Sequence, residues 1–228
     1  MRIGLDCTPL LGARTGIGRY TQSLLSALAE TGEDDLVATA FTLRGRGGLI
    51  VPRGVEVRAK PFPARGLQEA WARSELPPVE WLTGRLDAFH ATNFVLPPLR
   101  RAGGVVTVHD LAFLHLTSTV SSASARYRAL VPRSIRRAAV VITPSQAVAD
   151  QVREAYDPRV PVLAVPHGVH PAWASARPPS DALRARLGLP SSYVLFVGTL
   201  EPRKDVRTLL AAHRLLPDAP PLVLVGPP

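Results

Sequence analysis

The sequence predicts an α/β protein: a parallel, doubly wound sheet followed by the opening β-α-β unit of a second domain. Three observations carry this expectation. Short apolar runs recur along the chain and alternate with segments of helical spacing. A Pro-, Ala- and Ser-rich stretch separates the last such pair from the rest. The length, 228 residues, is about one and a half times the roughly 150 residues of a typical domain.

The elements follow in order. Residues 2–6 read as a buried strand. A long loop then ends in Thr15-Gly16-Ile17-Gly18-Arg19-Tyr20, with Thr15 as an N-cap. Ile17, Tyr20, Leu24, Leu25 and Leu28 recur at helical spacing after it. Residues 36–43 and 55–59 read as two further strands, and 86–90, 105–109, 139–143 and 162–166 as four more. Ser145 is placed to cap a helix carrying Val148, Val152 and Tyr156 on one face. Strands alternating with helices argue for a sheet covered on both faces. Residues 171–180 read as a linker. A short helix over 181–187, a strand over 193–197, a helix over 204–216 and a strand over 222–225 complete the chain. One such unit cannot bury both faces of its sheet. The expected division is therefore a domain over 1–170, a linker over 171–190, and an incomplete second domain over 191–228.

Composition narrows the class. Hydrophobic residues make up 46% and charged residues 20%, a globular balance. No apolar run approaches the roughly 18 residues of a membrane span, and no signal-peptide h-region precedes the first strand. A soluble, cytoplasmic protein is the default expectation. Cys7 is the single cysteine, which excludes an intramolecular disulfide and a cysteine-based zinc site. Of the 27 basic residues 25 are arginine, the exceptions being Lys60 and Lys204, and the net charge is +9. Such a surface attracts phosphate, nucleic acid or an anionic membrane face. No recognition-helix, RNA-binding or zinc pattern is present, so nucleic acid is not an expected partner.

Several residues can carry chemistry. Gly16 and Gly18 lie at a strand-to-helix junction, where backbone N–H groups can approach an anion. A nicotinamide fingerprint fits poorly: the third glycine position holds Thr21, the loop is long, and Leu43 is followed by Arg44 where an acid is needed. The alternative is a plain turn before a helix. His109 and Asp110 end a strand, where ligands bind in open α/β sheets; they can bond sugar hydroxyls or move protons, or simply start a turn. His90 has the same position with a weaker claim. His115, His170 and His213 read as lying on the surface or against local partners, and the six histidines show no metal-ligand spacing. Arg203 and Lys204 lie at a helix start, which is unfavourable for cations unless an anion binds there. Arg126, Arg133 and Arg137 share a helical face that Pro132 should kink or break; the face reads as solvated, with an anionic-lipid patch as the alternative.

Taken together, Arg2-Ile3-Gly4-Leu5-Asp6, the Thr15 to Tyr20 segment, Val106-Thr107-Val108-His109-Asp110-Leu111, Ile142-Thr143-Pro144-Ser145, Val165-Pro166-His167-Gly168-Val169 and Leu195-Phe196-Val197-Gly198-Thr199-Leu200-Glu201-Pro202-Arg203-Lys204 resemble glycosyltransferase family 4 enzymes of the GT-B fold, nearest their mannosyltransferase-like branch. The resemblance covers essentially the whole chain. It implies two Rossmann-like domains, the first holding the acceptor and the second the donor. It implies retaining transfer of a hexose, mannose above all, from GDP-mannose or a UDP-sugar to a glycan or lipid-linked acceptor, with no metal or other cofactor required. Gly16 and Gly18 would then approach the donor phosphate or the acceptor, and Arg19 and Tyr20 would lie on the acceptor side. His109 would sit beside the transferring sugar with Asp110 next to it, and Arg203 and Lys204 would neutralise the leaving diphosphate. An inverting enzyme would instead need His109 or Asp110 as base. Peripheral contact with the inner face of an anionic membrane stays open.

Two departures from the family pattern matter. Thr199 stands where members often carry an arginine, and the E-x7-E segment that contacts donor sugar and ribose is absent before Pro228. The sequence therefore predicts weak or no turnover by these 228 residues, with a non-catalytic glycan- or lipid-binding module as the alternative.

Overall fold

The computed structural model describes residues 1–12, 16–43, 48–115, 126–200 and 202–226, with only the backbone of His115 and Arg203. The N-cap expected at Thr15 and the side-chain positions expected for His115 and Arg203 lie outside the described residues. The chain forms two compact units, one reaching Gly168 and the other starting at Val169.

The first unit is built on a seven-stranded sheet. Its strands are β1 (Arg2–Asp6), β2 (Asp35–Thr39), β3 (Glu56–Val57), β4 (Ala88–Ala91), β5 (Gly103–Thr107), β6 (Val140–Thr143) and β7 (Val162–Ala164). Every pairing is parallel, in the order β3-β2-β1-β4-β5-β6-β7. The chain starts in the middle, winds outward through β3, then crosses back to β4 and winds the other way. Crossovers thus leave the sheet on opposite sides at β1 and β4, which makes their carboxyl ends the topological switch point. The apolar runs become strands because both faces are covered: Leu5, Val37, Phe89, Val106 and Val141 are fully buried. Strand β1 runs especially close to its neighbours. A Cβ at Gly4 would lie 2.7 Å from side-chain carbons of both Leu86 and Phe89.

The helices of this unit are α1 (Gly16–Thr31), α2 (Ala64–Arg73), α3 (Glu80–Thr83), α4 (Ala112–His115), α5 (Tyr127–Arg137) and α6 (Gln146–Tyr156). Leu25 of α1 packs into a cluster with Leu5, Cys7, Leu10 and Leu36. Burial there pushes the Cys7 thiol well above its ordinary range. Ser145 caps α6 by accepting the Val148 N–H at 3.3 Å, as its sequence position predicts.

Several elements are shorter than their apolar runs. The second strand stops at Thr39, because Phe41 leaves the ladder to donate its N–H to the Thr8 hydroxyl. The third strand keeps only Glu56 and Val57. Helix α5 runs through Pro132, which removes one donor without ending the helix. The expected solvated arginine face is also corrected. Arg137 has only 8% of its side chain exposed, donates to Glu75 at 2.6 and 2.8 Å, and bonds the carbonyls of Trp71, Ser74 and Leu96. Arg128 donates to the carbonyls of Phe113 and Leu114. These guanidinium groups satisfy backbone oxygens at chain crossings that a sequence pattern does not reveal.

The second unit begins with a 3₁₀ turn at Pro171–Trp173 and helix α7 (Asp181–Leu187), capped by Ser180 and ended by Gly188 in the left-handed conformation. Strands β8 (Val194–Val197) and β9 (Leu222–Val225) pair in parallel, joined through a 3₁₀ turn at Pro202–Lys204 and helix α8 (Val206–Arg214). The helix is two residues shorter at each end than its apolar spacing suggests, since Asp205 caps it by accepting the Thr208 N–H. Val194, Leu195 and Val197 remain exposed. Beyond the strands, a Cβ at Gly226 would lie 1.9 Å from the Gly198 carbonyl oxygen, so only glycine fits there.

Among the described residues no helix is long and apolar enough to cross a membrane, and no cluster of His, Cys, Asp and Glu is set to hold a metal.

Candidate active site

The carboxyl ends of β1, β4 and β5 converge with the first turns of α1 and the segment after β7. His109, two residues past β5, is the centre of this convergence. Its Nε2 lies 2.8 Å from the Thr92 carbonyl oxygen, and its Nδ1 lies 3.3 Å from Nε2 of His167. A carbonyl oxygen only accepts, so Nε2 of His109 carries the hydrogen. Burial holds the ring below its ordinary pKa, with the nearby His167 adding to that and the Thr92 carbonyl opposing it. The ring is therefore neutral at pH 7, its Nδ1 accepts, and His167 donates from Nε2. Among the described residues the nitrogen left open is Nδ1 of His167, an exposed residue whose pKa burial also lowers.

Aromatic rings fix this pair. Tyr20 meets His109 edge-on at a centroid distance of 5.1 Å and lies against His167 at 4.4 Å. Phe94 meets His109 edge-on at 5.7 Å. Beneath them a second network is closed. The Tyr20 hydroxyl and Nε2 of His90 both bond the buried Thr107 hydroxyl, at 3.0 and 2.8 Å. Burial drives the His90 pKa down to about 4, so this ring is neutral too. At neutral pH the site is a wall of uncharged imidazoles rather than a charged acid–base pair.

Beside this wall, at the switch point, lies a cavity of about 120 Å³. Asp6 at the end of β1 and Asn93 just after β4 both line it. The Thr92 hydroxyl ties the two strand ends together by donating to the Asp6 carbonyl oxygen at 2.6 Å. Asp6 is buried, which raises its carboxyl pKa to about 6 although the Thr8 hydroxyl and N–H favour its charged form.

The sequence-predicted residues fall as follows. Tyr20 joins His109. Gly16 opens α1, Gly18 is buried in its first turn, and Arg19 is exposed on the same turn. Asp110 uses one carboxylate oxygen to accept the Ala112 N–H at 3.0 Å, which starts α4. Lys204 is exposed in the second unit, on the 3₁₀ turn preceding the Asp205 cap rather than on the helix. His167, Thr92, Asn93 and Tyr127 were not singled out as site residues. His167 carries a visible signal as the histidine of a Pro-His-Gly segment; the others depend on sheet order alone.

Residues 15–168 match the family model of the glycosyl transferase 4-like domain. No curated protein matches the chain. Among solved structures, sucrose-phosphate synthase of Thermosynechococcus elongatus is similar, at 20% identity and TM-score 0.71, over 99% of this chain and 62% of that one. HepE of Anabaena, solved in complex with UDP-glucose, is similar at 20% identity and TM-score 0.65, over 100% of this chain and 61% of that one. The same protein in complex with UDP and glucose gives 19% identity and TM-score 0.63. At these identities the likeness concerns the fold, which is GT-B. The chain spans about three fifths of the length of these structures. The family model, in contrast, spans six of the seven strands of the first unit, β2 to β7, with His109 and His167, and on that match the chain belongs to the glycosyl transferase 4-like family.

Proposed function

We propose that the protein serves hexosyl transfer from a nucleotide-sugar to a glycan or lipid-linked acceptor, with retention of configuration. The observation that carries this reading is His109, locked as a neutral ring at the strand ends of the family-matched unit. Both of its nitrogens are already engaged, so it is a poor general base. An inverting reaction needs such a base; in a retaining one the leaving phosphate itself takes the acceptor proton. His109 then serves as an uncharged polar wall beside the transferring sugar. Gly16 and Gly18 let the start of α1 approach a phosphate, Arg19 and Tyr20 face the acceptor, Asp110 holds the turn after His109, and Arg203 and Lys204 meet the diphosphate.

UDP-glucose is the first donor to test, because HepE was solved with it; GDP-mannose, which the sequence resemblance favours, is the second. Each is offered to the purified chain with a glycoside acceptor, and acceptor-dependent release of nucleoside diphosphate is measured. The anomeric configuration of any product, read by NMR, separates retention from inversion. Failure of both donors, together with no calorimetric signal for either nucleotide, would reject transfer by this chain.

A second reading, a non-catalytic glycan- or lipid-binding module, is favoured by the second unit. Its described sheet is the β8–β9 pair alone, with apolar side chains left exposed. Glycoside binding without nucleotide binding would favour this reading.

A further inference from the structure

The gap between His109 and His167 suits a metal ion better than it suits a hydrogen bond. Their facing nitrogens, Nδ1 and Nε2, lie 3.3 Å apart. Ordinary N–H···O bonds span roughly 2.7–3.2 Å. Two imidazole nitrogens that share a tetrahedral zinc ion, each at its usual bond length, lie about 3.3–3.4 Å from one another. The rings are also turned for it. Their centroids are 5.4 Å apart and their planes meet at 61°, so neither ring stacks over the other and blocks the space between the two nitrogens.

The far side of His109 is built as that of a metal ligand is. A ligating imidazole donates its other N–H to a carboxylate, a backbone carbonyl or water, which fixes the ring and the tautomer. Nε2 of His109 does this to the Thr92 carbonyl at 2.8 Å, leaving the Nδ1 lone pair aimed at His167. His167 can answer with Nε2 by moving its one hydrogen to Nδ1, which has no partner among the described residues. Tyr20 holds both rings, at centroid distances of 5.1 and 4.4 Å, so little freedom is lost when an ion binds. We propose that Nδ1 of His109 and Nε2 of His167 form a two-point site for a divalent ion of the zinc class, with water completing the tetrahedron. No group of three or more ligating side chains gathers among the described residues. The ion is therefore exchangeable, unlike a resident zinc held by three or four protein ligands. Magnesium and calcium take oxygen ligands and do not fit. The two ligands are 58 residues apart and meet only after β5 and β7 are in place, which is why no sequence spacing announces them. On the transfer reading above, the ion would compete with the sugar for the His109 wall.

The test is ion binding to the untagged chain with no sugar or nucleotide present. Calorimetry at neutral pH should show one equivalent of zinc bound with a Kd on the order of 10 µM, and no binding of magnesium. Long-range ¹H–¹⁵N NMR should show the His167 hydrogen moving from Nε2 to Nδ1 as zinc is added, while that of His109 stays on Nε2. His109→Ala and His167→Ala should each weaken zinc by about tenfold or more. His167 is exposed, so its variant decides if the His109 variant does not fold, as judged by circular dichroism. His170→Asn removes the alternative surface partner of His167 and should leave the affinity unchanged. No zinc binding, magnesium bound as tightly, a His167 hydrogen that stays on Nε2, unchanged affinity in His167→Ala, or lost affinity in His170→Asn would each overturn the site. Failure of sugar transfer would leave the ion site standing, and absence of zinc binding would leave the transfer reading standing.

Discussion

The His109 ring donates from Nε2 to the Thr92 carbonyl oxygen at 2.8 Å, a bond that joins the segment after β5 to the segment after β4. That single contact sets the tautomer of one imidazole and, through His167, of a second. It also turns two strand ends into one rigid wall, because the Thr92 side chain is itself held by Asp6 and Thr21.

The tautomers are open to direct measurement. Long-range ¹H–¹⁵N NMR should show hydrogen on Nε2 of both His109 and His167 at neutral pH. The titration midpoints of His90, His109 and His167 should all lie below 6.5, that of His90 near 4. In a transfer assay His109→Ala should lower turnover by about a hundredfold, the scale of loss that follows from misplacing the transferring sugar. A His109 ring found protonated on Nδ1 alone would contradict the wall described here.

Asp6 and His90 give stability opposite slopes with pH. Between pH 6.5 and about 4 the unfolded chain binds a proton at His90 that the folded chain refuses, so acid removes stability. Between about pH 6 and 3.8 the folded chain keeps a proton on Asp6 that the unfolded chain releases, so acid adds stability. Each shift corresponds to on the order of 3 kcal/mol, and the two offset where their windows overlap. Asp6→Asn removes the compensating group. Its melting temperature should fall more steeply than the parent's on acidification from about pH 6 to about pH 4. Parallel curves in scanning calorimetry would contradict the opposed pair.

This pairing marks the boundary of what the sequence reveals. Strand alternation, the Ser145 cap and the strand-end position of His109 are local patterns and can be read from neighbouring residues. Asp6 and Asn93 meet only because β4 pairs with β1 rather than with β3, its predecessor along the chain. No local periodicity encodes that order. Arg137 was misread for the same reason: its charge suggests a solvated face, while its partners lie on chain segments distant in sequence.

Arg137 and Glu75 separate a salt bridge from backbone satisfaction. Glu75 is 64% exposed, so Glu75→Gln should cost no more than about 1 kcal/mol. Arg137→Ala leaves the Trp71 and Leu96 carbonyls without their donor and empties a nearly buried stem. It should cost about 2–4 kcal/mol, lowering the melting temperature by roughly 4–16 °C at this chain size. Equal losses in the two variants would mean that the ion pair, not the carbonyls, carries the stability.

Phe94 offers a test in which the usual order of two substitutions reverses. Its φ is +60°, in the left-handed region, and the Val95 N–H closes a tight turn onto the Asn93 carbonyl at 2.6 Å. A bulky side chain is strained there by about 1–2 kcal/mol. The residue is only 4% exposed, and its ring touches His109, Phe113 and Tyr127, which offsets the strain. Phe94→Ala loses the ring and keeps the strain, for a cost of about 3–5 kcal/mol. Phe94→Gly loses the ring and relieves the strain, so it should be the more stable of the two by about 1 kcal/mol, although glycine ordinarily costs more chain entropy than alanine. Urea denaturation of both variants reads this sign. The function follows the ring rather than the backbone, so both variants should lose the edge contact on His109 and show equally weakened acceptor use, whatever their difference in stability. A glycine variant less stable than the alanine one would show that the turn at Asn93 and Phe94 holds no strain.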